Sequence, residues 1–441
     1  MDKAVEILEL VKAHVTSAEA FTISSEAVKV AYKGGKVRSS EVQESSGVSI
    51  RAIQDGKLGF YSTTDLTDKP KLLDSVLTST RYGGEAGFEF AAPQSGELFE
   101  GFSQETSRLD IGELAELGRR LAAKIEEKTN REEMSVEVNL ERRVYDQHLV
   151  NTNGVDQKQK RSLIEVVLVA QRVRGNDVLF TYSVSNSIAP DANIEKLSDQ
   201  LLWKLGMAEN LVALDTKEGR LPVVFTPPGS ALLFFPLYLG LSGKNAFKGV
   251  SPLAGKVGEA VLDPRLNLTD DPFMANRPAS TPYDAEGVAT RRQTFFDKGV
   301  LTGFYYDLKS AGEASVQSTG HGRREGLAAP QAGLSNPAVL GGDSSFQELI
   351  SDIKEGLLVD SVLGMGQSNI LGGAFNNSVG LAYKIENGEI VGRVKDVSIA
   401  GNVYDLLKNN LGGLSRETEL VFGQLNLPYV RIDGLSTVSN H

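Results

Sequence analysis

The chain has 441 residues, with 46 Lys plus Arg against 57 Asp plus Glu, four His and no Cys. Without cysteine there are no disulfides and no cysteine-based zinc site, so packing and hydrogen bonds must hold the fold. The net charge of −11 disfavours broad contact with phosphate backbones, because nonspecific nucleic-acid affinity comes from cationic neutralisation. No apolar run approaches the ~18 residues that cross a bilayer. The opening MDKAVEILELVKAHV mixes charge with apolar residues and lacks a signal-peptide core, which predicts a cytoplasmic protein.

Helical spacing of Val5, Leu8, Val11 and Val15 predicts an amphipathic opening helix over 3–15. Strand-like runs then flank Lys33-Gly34-Gly35 and Asp55-Gly56, predicting two β-hairpins, since glycine supplies the positive φ of tight turns. Asp110 and Glu113 have capping-box spacing ahead of a stripe formed by Ile111, Leu114, Leu117, Leu121 and Ile125, so a helix is expected over 110–128. From Met134 the apolar period falls to two, giving strands, and Ile194, Leu197, Leu201 and Leu205 mark a helix over about 194–213. The polar LDTKEGRLP at 214–222 is the natural boundary, giving an N-terminal domain over 1–215 and a C-terminal one over 220–441.

The second half opens with a short strand, LPVVFTP, and SALLFFPLYLGL, apolar all round and therefore a buried helix. Asp297-Lys298-Gly299 and Asn387-Gly388 predict further hairpins. Ser344 and Gln347 are spaced as a capping box for a helix over 345–358. Val403 to Asn410 reads as a short helix and PYVRIDGL as a closing strand. Strands and helices do not alternate regularly, so the expected class is α+β, with N-terminal hairpins, helices and a mixed sheet, then a β-rich domain holding the buried helix.

No phosphate-binding loop, dinucleotide fingerprint or G-x-S-x-G elbow is present. GMGQSNILGG at 364–373 could bring backbone close to a ligand, although a long flexible connection is the simpler reading. His14, His148, His321 and His441 are far apart in sequence, and only His321 sits in a glycine-rich stretch, STGHGRREG. Arginine in a cleft can fork onto a carboxylate, including a peptide C-terminus, so Arg291, Arg292 and Arg323, with His321, are peptide-binding candidates. Arg324 completes the second arginine pair. For both pairs, surface charge or ion pairing is the simpler role. Asp263, Asp270 and Asp271 could offer oxygen ligands to a hard cation, but without calcium-loop spacing they default to turns and caps.

GVSIRAIQDGKLGFYSTTDL, RPASTPYDAEGVATRRQTFFDKGVLTGFYYDLKSA, STGHGRREG, IKEGLLVDSVLG and AYKIENGEIVGRVKDVSIAGNVYDLLKN together resemble the TldD/PmbA family. That family was historically described as modulators of DNA gyrase and is now regarded as a peptidase system. The resemblance implies that its TldD branch is a zinc peptidase. Two histidines of an H-E-x-x-x-H helix and a C-terminal cysteine hold the metal, and the glutamate works on the attacking water. Phe234, Phe235 and Leu239 stand at the His, Glu and His positions here, and the cysteine has no counterpart, which is the pattern of the PmbA/TldE branch. The resemblance therefore implies a non-catalytic, pseudo-peptidase subunit of a cytosolic metalloprotease acting on unfolded peptides. Its partner would be a TldD-like zinc subunit, and zinc is expected only there. It further implies a homodimer when alone, while hydropathy and net charge predict no membrane partner and argue against a nucleic-acid one. The alternatives are a hydrolase rebuilt around His321 with Asp263, Asp270 or Asp271, and a gyrase modulator that binds directly.

Overall fold

A computed structural model describes residues 2–130, 132–366 and 369–439. The chain opens with helix α1 (Lys3–Lys12), capped by the Asp2 side chain, and its buried stripe is Ala4, Ile7, Leu8 and Val11. Val5 and Val15, predicted for that stripe, only pack partly buried at its margin. Strands β1 (Ser17–Lys33), β2 (Lys36–Gln54) and β3 (Lys57–Thr63) follow. The two predicted hairpins thus share one 19-residue strand, β2, instead of using four separate strands. Gly34-Gly35 and Asp55-Gly56 turn the chain with positive φ at both central residues, the backbone that matches the strands' own twist.

Helix α2 (Lys69–Arg81), β4 (Gly84–Glu85), α3 (Gln104–Arg108) and α4 (Ile111–Glu126) come next, then β5 (Met134–Asn151), β6 (Asp156–Arg174), β7 (Asp177–Ser187) and α5 (Ala192–Met207). The predicted capping box of α4 is present: Asp110 accepts from the Glu113 N–H, and the Glu113 carboxylate accepts from the Asp110 N–H. The first sheet has the order β4-β3-β2-β1-β5-β6-β7 and is antiparallel throughout. Successive side chains along a strand point to opposite faces. Even-numbered residues such as Val30, Val138 and Val166 pack against α4 and α5. Odd-numbered Glu19, Phe21, Arg51, Leu149 and Arg161 face the other way, towards loops of the second half. Beyond the end of β3, residues 36–46 of β2 are exposed on both faces, and β3 pairs only from Val48 onward.

The second half contains β8 (Glu218–Phe225), α6 (Pro227–Gly240), α7 (Gly243–Phe247), β9 (Leu268–Asp270), β10 (Gln293–Asp297), β11 (Val300–Leu301) and α8 (Leu308–Glu313). After these come β12 (Gly322–Arg323), β13 (Gln331–Ala332), β14 (Pro337–Val339), α9 (Phe346–Ile350), β15 (Glu355–Val362), β16 (Ala374–Glu386) and β17 (Glu389–Val394). The chain closes with β18 (Val397–Asn402), α10 (Val403–Asn409), β19 (Leu411–Val421) and β20 (Leu425–Ser439). Pairing of β20 with β8 closes β20, β18, β16, β15 and β8 into a ring. In β8 and β15, Val224 and Leu358 join the core around α5, whereas Val223, Phe225, Leu357 and Val359 join the one around α6. Burial on both sides explains why these strands read as continuous apolar runs.

The helix predicted over 345–358 is a correction. Only Phe346–Ile350 is helical, its capping box is Ser345 with Glu348, and the chain is a strand from Glu355. Of the glycine-rich string 364–373, Gln367 and Ser368 lie outside the described residues, as does His441. Among the described residues no helix is long and apolar enough to cross a membrane.

Candidate functional site

Thr226 caps α6, its hydroxyl accepting from the Gly229 N–H, and Pro227 and Pro228 occupy the first turn, where a missing N–H costs nothing. Gly229 is required by contact: a Cβ there would run into the Val359 carbonyl. The rest of the helix is apolar on all sides and mostly buried, as P-P-G-S-A-L-L-F-F-P-L-Y-L-G demands. Phe234 is fully buried in the core, Phe235 is 39% exposed and Leu239 is half-buried. Pro228, Phe235 and Leu239 are spaced by seven and four residues, so they share one helical face. None of these side chains offers a lone pair to a cation or accepts a proton. At the positions that the resemblance assigns to the metal site, these side chains do not fit zinc, and among the described residues no group of three or more His, Asp or Glu could hold a metal.

Beside the first turn of α6 lies a cavity of about 780 Å³ whose wall includes Phe180, Trp203, Phe422 and Tyr429. At its polar floor the Lys204 ammonium sits 3.0 Å from Asp360 Oδ2 and donates to the Tyr182 carbonyl, while Thr226 donates to Asp360 Oδ1 at 2.9 Å. Burial raises the Glu419 carboxyl in the same wall, against the pull of Lys204. Pro228 lines this cavity and begins the face that carries Phe235. The combination of aromatic wall and few convergent polar groups suits apolar side chains or an extended chain. Sequence reading missed it because its residues come from seven separate segments.

The other candidates are dispersed. Arg291 and Arg292 are exposed and precede β10, so the alternation of a strand does not apply to them. Arg292 pairs with Asp271 at 3.2 Å and Glu97 at 3.3 Å and covers the Phe273 ring. Asp263 is taken by Arg265 at 2.8 Å. His321 does meet Asp270, Nε2 to Oδ2 at 3.3 Å, but both are buried, and His321 Nδ1 contacts the Thr319 carbonyl at 3.0 Å. Burial alone would raise Asp270, yet His321, the nearby charge of Arg323 and the backbone N–H of Ser335 hold it below the usual carboxylate range. His148, read simply as a strand residue, is buried between Asp2 and Asp156 at 2.6 and 2.7 Å. His14 is exposed.

A second polar cluster joins the first sheet to the later loops. The Arg51 guanidinium forks onto Glu19 at 3.0 and 2.7 Å and reaches Glu286 at 2.5 Å, all three buried. Arg324 donates to Glu19 at 2.8 Å and to Ser49 Oγ at 2.6 Å. The two arginines hold Glu19 below its ordinary range in spite of burial. Burial pushes Glu286 up to about 7, Asp284 and Asp307 adding to the effect and Arg51 opposing it.

Residues 218–439 match the domain described as the PmbA/TldA metallopeptidase C-terminal domain, and residues 18–79 match PmbA/TldA metallopeptidase domain 1. The chain is 24% identical to metalloprotease PmbA of Escherichia coli O157:H7, over 97% of its own length and 94% of that protein's. It is 34% identical to a metalloprotease TldD homolog of Haemophilus influenzae over 48% of this chain, a match that spans 44% of the relative. The crystal structure of TldE from Thermococcus kodakarensis shares the fold, with a TM-score of 0.86 at 23% identity and 99% of each chain covered. With the C-terminal family domain extending over half its length and domain 1 matched ahead of it, the chain belongs to the PmbA/TldD family of peptidase-like proteins.

Proposed function

We propose that this chain is a non-catalytic subunit of a TldD/TldE-like metalloprotease acting on unfolded peptides, shaping the peptide chamber while a TldD-like partner supplies zinc and the chemistry. The observation that supports this reading is α6, apolar on all sides and without a charged side chain; we assign its Phe234, Phe235 and Leu239 to the positions at which the family's peptidase branch has His, Glu and His. Hydrocarbon at those positions keeps the helix packed and removes both metal ligation and general-base chemistry. The exposed Phe235 face and the adjoining aromatic cavity favour contact with apolar side chains of an extended peptide. In this reading Arg291, Arg292, His321 and Arg323 remain candidates for peptide contact, and a homodimer is the expected form when the partner is absent.

Coexpression with an H-E-x-x-x-H chain of the same family tests the proposal. A copurifying complex should cleave unfolded peptides, the partner's Glu→Gln variant should abolish cleavage, and this chain alone should be inactive. Zinc-dependent cleavage by this chain alone would overturn the reading.

A further inference from the structure

The odd-numbered residues of β5 and β6 line a cavity of about 460 Å³, closed by the loops around 278–285 and 322–334. Small-molecule sites occupy roughly 300–1,000 Å³. Three guanidinium groups stand in its wall, from Arg161, Arg323 and Arg324, beside the amides of Gln157 and Gln159 and a single carboxylate, Asp284.

These cations are unequally satisfied. Arg324 is paired with Glu19. Arg161 donates to the carbonyls of Pro278 at 2.7 Å and Ser280 at 2.5 Å, neutral acceptors that leave its charge uncompensated. Arg323 has one bond, from Nη1 to the Ala279 carbonyl at 3.2 Å, while Nε and Nη2 are buried and unpartnered. Among the described residues no carboxylate forms an ion pair with Arg323 within 4 Å. Asp284 cannot easily serve it, since its oxygens already accept from the N–H groups of Glu286, Val288 and Gly322 at 2.9, 3.0 and 2.8 Å. Asp270 and Asp284 offset part of the Arg323 charge through space, but a buried guanidinium edge without a direct partner is still costly, and the unpartnered Nε–Nη2 edge is the fork that fits two carboxylate oxygens. With only one bond tethering it, the guanidinium can turn that edge into the cavity.

We propose that this cavity binds a carboxylate, with Arg323 as its forked donor and Arg161 as the second positive charge. The flanking glutamine amides both donate and accept, so they suit the amide next to a peptide's terminal carboxylate; a free organic acid presents the same anion. The site gives Arg323, one of the peptide-contact candidates of the proposed function, a specific ligand, but its binding can be read on this chain alone without a metalloprotease partner.

Calorimetric titration of the full chain with tri-alanine, tri-alanine amide, succinate and inorganic phosphate tests the inference. Tri-alanine should bind at least about tenfold more tightly than its amide, the loss expected when a charged hydrogen-bond pair is removed. Arg323→Lys should weaken the free acid by a similar factor while leaving the amide unchanged. Binding of succinate without tri-alanine would keep the carboxylate site and assign it to a free acid. Equal binding of tri-alanine and its amide, phosphate binding tighter than either acid, or no binding by the folded wild-type chain would overturn the proposal. The wild-type ligand series needs no variant, so it decides the matter even if Arg323→Lys does not fold.

Discussion

Around α6 the chain buries hydrocarbon: Phe234, Leu237 and Leu233 pack against Phe225, Val359 and Val430 of the strand ring. Behind the first sheet it buries charge, in the chain of contacts from Arg324 through Glu19 and Arg51 to Glu286. In the first region a lost side chain is a matter of packing, because the neighbours of α6 are apolar. In the second, each ion is kept in place by the others, and removal of one leaves its partner stranded. Concentrated buried charge therefore marks the joint between the halves of this molecule, whereas α6 itself carries no charged side chain.

The sharpest way to break that contrast is at Arg51. Arg51→Met should destabilise the chain by about 3–5 kcal/mol, because Glu19 and Glu286 lose their shared cation. Urea denaturation measures it, and an unchanged midpoint would mean the charges are not holding the halves together. Phe234→Ala should cost a comparable amount, about 3–5 kcal/mol, through transfer and cavity formation. Its neighbour Phe235, 39% exposed, should cost about 1 kcal/mol or less when cut to Ala. Equal losses at the two positions would contradict the placement of Phe234 inside the core.

A smaller effect is expected from protonation. Glu286 has a folded-state pKa pushed up to about 7 from an ordinary 4.5, so the folded chain binds more protons than the unfolded one between those values. Its contribution is fully present below pH 4.5 and is lost as pH rises through about 7. Denaturation midpoints of wild type and Glu286→Gln should thus diverge with that sign, and a flat difference from pH 4.5 to 7.5 would exclude it. Asp2 runs the other way. Burial raises it, but bonds from His148 and Lys158 bring it down to about 2, so its contribution is lost as pH falls from 3.8 towards 2. Smallest of all, Arg292→Ala should change stability by no more than about 0.5 kcal/mol, since its ion pairs are exposed and solvent-screened.

What could be read in advance was local. Hairpin turns at Asp55-Gly56 and Asn387-Gly388 announce themselves through residues that tolerate positive φ, and Asp110 with Glu113 marks its helix by three-residue spacing. The apolar run of α6 identified a buried helix, and resemblance to the family supplied the meaning of Phe234, Phe235 and Leu239. Short apolar runs defeat periodicity: G-L-L-V at 356–359 fits a helix face as well as a strand buried on both sides. Ser344/Gln347 and Ser345/Glu348 are capping boxes one residue apart, and spacing alone does not choose between them. Arg51 and Glu286 are 235 positions apart, and Arg161 sits in an alternating strand that reads as ordinary surface, so neither partnership has any local trace.

The doubly exposed reach of β2 has its own signature in time. From Ser39 to Ser46, past the irregularity at Arg38, the strand pairs on one edge only, with β1, so alternate amides donate to β1 and the intervening ones face water. Hydrogen exchange along this segment should run fast and slow by turns, with a period of two residues. Anything that lays a further strand against that edge, whether a peptide, a subunit or a second copy, would slow the fast half of the pattern and leave the other half unchanged.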